Sequence, residues 1–119
     1  MNEEKRQLVR SFQTTIKQLS DEERAALIEK HGGIVTIEGH ALSVKNTLMV
    51  IYQRETSTVV GGFKQWLRAG RVVSKGQSGL TIFIPCKKKV EQNEPDETFF
   101  RMASVFDISQ TVELEVEEN

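Results

Sequence analysis

The sequence predicts a single α+β domain in which N-terminal helices are followed by a small antiparallel β-hairpin or sheet. Three observations carry that expectation. Apolar residues in the first half recur at helical spacing, the residues after Gly70 form β-branched runs broken by glycine, and 119 residues supply one hydrophobic core rather than two. A composition of 38% hydrophobic and 28% charged residues is that of an ordinary globular chain, which excludes disordered and fibrous classes.

Between Asn2 and Leu19, Leu8, Phe12, Ile16 and Leu19 recur every three or four residues, the stripe of an amphipathic helix facing a core. Ser20-Asp21-Glu22-Glu23 then reads as a capping box opening a second helix through Ala25, Leu27 and Ile28. That helix is expected to stop at His31-Gly32-Gly33, where glycine takes a left-handed C-cap and His31 is a helix-end residue rather than a ligand. Ile34 to Glu38 alternates weakly and is read as a short strand or extended linker.

Ala41 to Arg54 returns to helical spacing, with Ser43 as N-cap, one stripe of Val44, Leu48 and Ile51, and a second of Leu42, Met49 and Tyr52. Gly61-Gly62 opens a short helix in which Phe63, Trp66 and Leu67 share one face and Lys64 and Arg68 another, closed by Gly70. Arg71 to Val73 and Leu80 to Pro85, separated by Lys75-Gly76-Gln77-Ser78-Gly79, read as a β-hairpin with Gly76 and Gly79 at positive φ. Lys87 to Thr98 is a polar connector containing Pro95, and Phe99 to Phe106 is a further strand, paired across that connector. Three regions follow: a helical region at 1–39, a core at 40–111 and an acidic tail at 112–119, together one globular unit.

The same residues exclude most chemistry. Neither H-E-x-x-H nor G-x-S-x-G occurs, the glycine turn lacks the P-loop spacing, and one cysteine with two histidines is too few for a disulfide or a zinc framework. Cys86 reads as a partly buried thiol at a strand end, and no catalytic residue, metal or cofactor is expected. No apolar run approaches the ~20 residues that span a bilayer, and the charged N-terminus is unlike a secretory signal, so the expected location is cytoplasmic, away from membranes.

Charge is what points to a partner. The formal net charge is −1, yet residues 40–89 carry nine Lys or Arg against Glu55 alone, and residues 91–119 carry nine acidic groups against Arg101 alone. A basic block of that size interleaved with Phe63, Trp66 and Phe83 is the footprint of a surface for a polyanion such as nucleic acid. Trp66, on the inner stripe of its helix, reads either as core or as a stacking platform. Phe99 and Phe100, adjacent in a strand, must point to opposite faces, so at least one is exposed or covered by another element.

A resemblance joins these pieces. Ser43-x-x-Asn46, Gly62-Phe63-x-x-Trp66-x-x-x-Gly70-Arg71-x-Val73-x-Lys75-Gly76-x-x-Gly79, Ile82-x-x-Pro85 and Val105-Phe106-Asp107-x-Ser109-Gln110-Thr111 together resemble the N-terminal single-stranded DNA-binding domain of ArdC-type antirestriction proteins, over roughly residues 42 to 111. The resemblance implies a plasmid- or phage-type protein that coats single-stranded DNA during transfer. In larger relatives it implies a metalloprotease-like domain further on; the sequence stops at Asn119, and no proteolytic role is expected of it.

The expectation is therefore binding of single-stranded DNA with little sequence preference. Lys64, Arg68, Arg71 and Lys75, aided by Lys45, Lys87, Lys88 and Lys89, would neutralise phosphates, while Phe63, Trp66 or Phe100 stacks bases. The alternative is an inhibitor module whose acidic C-terminal segment mimics DNA toward a restriction or DNA-processing protein. The acidic end is also expected to compete with DNA for the basic surface.

Overall fold

In a computed structural model, described for residues 2–88 and 91–115, four helices precede and flank a mixed sheet. Helix α1 (Glu3–Gln18) is capped by Asn2, whose side chain accepts from the Lys5 amide, and α2 (Asp21–His31) by the expected box. Ser20 Oγ accepts from the Glu23 amide at 3.0 Å, and the Glu23 carboxylate accepts from the Ser20 amide at 2.9 Å. Gly32 ends α2 at φ 104°, and the His31 ring meets the Glu55 carbonyl at 2.7 Å, a helix-end contact. Arg24 reaches back to donate to the Ile16 carbonyl at the end of α1, which fixes the angle between the two helices.

The inner stripe of α1 departs from expectation at one position. Val9, Phe12 and Ile16 face inward, and Leu8 is 52% exposed. With apolar residues at both 8 and 9, the sequence leaves the choice open; Leu48, Met49 and Phe83 take Val9.

Helix α3 (Val44–Gln53) is the centre of the molecule. Four consecutive residues, Thr47 to Val50, are buried, so the middle turn of the helix is enclosed all round rather than along one stripe, and Val44 in its first turn is left exposed. Leu48 and Met49 pack with α1, and Phe12 stacks on Tyr52 at 5.6 Å. Val50 joins Ile34, Val60, Leu80 and Ile82 in a second cluster against the sheet.

The main sheet runs β1 (Val35–Thr36), β2 (Val59–Gly61), β5 (Glu97–Asp107), β4 (Leu80–Lys88). It is mixed rather than purely antiparallel, because α3 carries the chain from β1 across to β2 and so lays those two strands parallel. The expected hairpin does not form either. β3 (Arg71–Val73) pairs antiparallel with β6 (Thr111–Glu113), so Val112 and Glu113 belong to the fold rather than to an acidic tail. β4 pairs with β5 across the polar connector, as the sequence predicts, Leu80 opposite Val105 through Lys88 opposite Glu97.

The glycine turn packs against β5 rather than folding β3 back on β4. Gly76 has positive φ as expected, but Gly79 does not; a Cβ there would lie 2.8 Å from Cβ of Ser104, so this glycine serves close packing of the turn on β5.

The outer edge of β4 is sealed by side chains of α3. Asn46 donates to the Phe83 carbonyl and accepts from its amide, both at 2.9 Å, and Gln53 does the same for Thr81 at 2.8 Å. Each amide stands in for a neighbouring strand. Asn46→Ala is therefore expected to cost about 2 kcal/mol by orphaning two half-buried backbone groups, measured as a lowered urea midpoint at unchanged slope.

Candidate nucleic-acid interface

Beyond Pro85 the β4–β5 pair leaves the body as a two-stranded ribbon whose residues, Cys86 apart, are exposed. Strand alternation puts Phe83, Pro85 and Lys87 on one face together with Phe100 and Met102 of β5. That face looks onto α1, and a groove of about 520 Å³ lies between them, with Arg6, Arg10 and Gln13 on the helix side and Phe83, Phe100, Met102 and the neighbouring Arg101 on the ribbon side. Val9 and Phe83 are buried at its floor, whereas Phe100 is 58% exposed. Lys45 reaches over from α3, its Nζ 4.5 Å from the centroid of Phe83 and 5.2 Å from that of Phe100. A cation poised over an exposed ring, with two more guanidinium groups across the groove, offers a π-face and phosphate partners in one place.

Of the residues expected from sequence, Lys45 and Phe100 meet at this groove, while Lys87 shares the ribbon face of Phe100 farther out, with Lys88 exposed beside it. Lys89 lies outside the described residues. Phe63, Lys64 and Arg68 form a second exposed cluster on α4 (Phe63–Arg68). Trp66 Nε1 of that helix donates to the Phe106 carbonyl at 2.9 Å, six residues along β5 from Phe100, so the two clusters stand roughly 20 Å apart along the strand.

Two expected contacts are removed by packing. Trp66 is 3% exposed with its indole N–H spent on Phe106, which leaves no face for a base. Arg71 is turned inward; its Nε donates to Thr111 Oγ1 at 2.7 Å, its Nη2 donates to the Thr111 carbonyl, and its Nη1 lies 3.9 Å from the Glu113 carboxylate. Lys75 is exposed at the glycine turn.

Arg6 and Arg10 were missed because residues 1–39 are nearly balanced in charge. The signal was present within the helix: between Lys5 and Ser20 the basic residues Lys5, Arg6, Arg10 and Lys17 occur with no acidic one. Among the described residues, no group of three or more His, Cys, Asp or Glu is placed to hold a metal ion. No helix among them is long and apolar enough to cross a membrane.

A family model described as the N-terminal domain of anti-restriction factor ArdC matches residues 4–113, from the first turn of α1 to the end of β6. The chain belongs to the ArdC N-terminal domain family. Solved structures agree on the fold. The metal-free crystal structure of antirestriction protein ArdC from plasmid R388 superposes with a TM-score of 0.61 at 18% identity, covering 92% of this chain. The Mn(II)-bound structure of the same protein gives 0.54 at 18% identity over 81%. In both cases this chain spans 41% of the ArdC chain. No curated protein matches.

Set against the structure, the stretches that carry the ArdC resemblance are mostly scaffold. Asp107 is 1% exposed; its carboxylate accepts from the amides of Thr58 at 2.8 Å, Val59 at 3.3 Å and Ser109 at 3.0 Å, and from the Ser109 hydroxyl. Gln110 accepts from the Asp107 amide and donates to the Ser78 carbonyl, tying the single 3₁₀ turn Ile108–Gln110 to the glycine turn. Thr111 Oγ1 donates to the Ile108 carbonyl while accepting from Arg71. Asn46 of the Ser43 motif is one of the two residues that seal β4. The ArdC motif residues thus hold the sheet from which the ribbon projects.

Proposed function

We propose that this ArdC-type domain binds single-stranded DNA with little sequence preference, in the groove between α1 and the β4–β5 ribbon, as part of an antirestriction or DNA-transfer role. The observation that carries the reading is Phe100, an exposed ring with Lys45 over it and Arg6 and Arg10 across the groove. A duplex keeps its bases stacked inside, so an exposed aromatic flanked by cations favours a strand whose bases are free. The α4 cluster of Phe63, Lys64 and Arg68 extends the track for a longer strand. The domain acts as a binding module and carries no chemistry of its own.

Fluorescence anisotropy of a labelled single strand and its duplex, titrated at several salt concentrations, tests this. Tighter binding to the single strand is expected, with log K falling steeply against log salt. Arg6→Ala combined with Arg10→Ala is expected to flatten that slope by about 1.4, since each phosphate contact contributes ~0.7 on single strands. Equal or tighter binding to the duplex, or no binding at low salt, overturns the reading.

A further inference from the structure

The two edges of the β4–β5 ribbon are treated differently. On β4, Thr81 and Phe83 turn their backbone groups outward into the amides of Gln53 and Asn46. Their partners across the ladder, Ser104 and Met102, therefore turn theirs outward on the far edge of β5, and by alternation so do Phe100 and Thr98. Strand β2 covers that far edge only at Phe106 and Asp107. Among the described residues, the outward amides and carbonyls from Thr98 to Met102 have no backbone partner. The segment Thr98-Phe99-Phe100-Arg101-Met102 is exposed and carries no proline or lysine, and Arg101 is its one charged residue.

We infer that this edge is a docking surface for a second copy of the chain, joined by antiparallel β5–β5 pairing centred on Phe99. Self-complementarity of charge selects the occupant and the register. Glu97, Phe99 and Arg101 share one face of the strand. A two-fold axis at Phe99 places Glu97 opposite Arg101 of the second copy, Arg101 opposite its Glu97, and the two Phe99 rings against each other. The same axis sets Thr98 opposite Phe100 of the second copy, both with backbone groups turned outward, so the ladder closes. Shifting the axis to Phe100 puts Arg101 opposite Phe99 and leaves Glu97 facing Ala103; shifting it to Arg101 sets like charges face to face. Among the described residues, Glu97 and Arg101 make no ion pair within the chain, so both are free for the contact. The product is a continuous β4-β5-β5-β4 ribbon with two grooves. Nucleic acid has no part in the contact, so its test is independent of the binding experiment.

Sedimentation equilibrium of the full chain without nucleic acid, from micromolar to about millimolar, is expected to show a species of twice the 13.5 kDa chain mass. Glu97→Arg or Arg101→Glu alone creates two like-charge pairs by symmetry and is expected to weaken the dimer about tenfold, whereas the double exchange restores it. Thr98→Pro removes an outward donor without touching the ladder to β4, and is expected to abolish the dimer. Circular dichroism of each variant separates loss of pairing from loss of fold. A chain that stays monomeric throughout overturns the inference, as does a dimer indifferent to Thr98→Pro or a double exchange that fails to recover what the single reversals lose.

Discussion

Asp107→Ala is expected to lower stability by about 3 kcal/mol, a drop in Tm of roughly 12 °C for a domain of this size, while leaving DNA affinity of the folded protein within about twofold. The carboxylate is the hub of one corner. It holds the Thr58 and Val59 amides at the start of β2 and the Ser109 amide and hydroxyl in the 3₁₀ turn. Alanine leaves these donors facing an apolar methyl in a site closed to solvent. The same site predicts a pH dependence. Burial pushes the Asp107 carboxyl up, but the Ser109 hydroxyl and the amides of Thr58, Ser109 and Val59 outweigh it and hold the group below its usual value. A folded-state pKa below the unfolded one means that stabilisation is complete above the ordinary carboxylate value of about 3.9 and is lost as pH falls from there through the folded value. The difference in urea midpoint between wild type and Asp107→Ala should accordingly be constant near neutrality and shrink in acid. A gap that widened in acid would mean that the carboxylate is destabilising in the fold.

Local signals in the sequence were read correctly where the structure is local. The capping box at Ser20 and Glu23, the Ser43 cap and the C-cap at Gly32 depend on residues three or four apart. Strand pairing does not: the pairing of Leu80–Pro85 with Phe99–Phe106 across the polar connector is as expected, whereas the hairpin of Arg71–Val73 with Leu80–Pro85 does not form. Arg71–Val73 and Leu80–Pro85 are separated by a turn that suits a hairpin, yet β3 is captured by β6, some forty residues away, through Arg71 and Thr111. Pairing of β4 with β5 is also favoured by the α3 amides that occupy the other edge of β4, a long-range contact to which periodicity is blind.

The site was legible to a similar degree. The basic block and the exposed aromatic were visible in composition, because charge and ring type are properties of the residues themselves. Which of them face a common space depends on the fold. Strand alternation brings Phe100 to the same face as Lys87, and α1 supplies Arg6 and Arg10 from a segment that charge counting set aside. Trp66, attractive by type, is spent on anchoring α4 to β5. The motif residues that resemble ArdC proved informative about family and silent about contact, since a buried bracing network such as that of Asp107, Gln110 and Thr111 leaves a sharper sequence pattern than a set of solvated cations.

Phe100→Ala is expected to weaken single-strand binding about tenfold with no loss of stability, the converse of Asp107→Ala. A base stacked on an aromatic side chain contributes ~1–3 kcal/mol, and tenfold lies toward the lower part of that range because the alanine variant keeps the floor of Val9 and Phe83 and the cations of Lys45, Arg6 and Arg10. The ring contributes no charge, so the salt slope should be unchanged even as affinity falls, which separates stacking from phosphate contact. Phe100→Trp, which enlarges the π-face, should bind at least as tightly as wild type, and Phe100→Leu, which keeps apolar bulk without a π-system, should fall between wild type and alanine. Phe99→Ala supplies the geometric control: the neighbouring ring is 47% exposed but lies on the opposite face of the ribbon, away from the groove, so at nanomolar protein its loss should change affinity less than about twofold. Equal losses for the two phenylalanines would mean that the strand tracks the ribbon edge rather than the α1 groove, and the contacts assigned to Arg6 and Arg10 would fall with it.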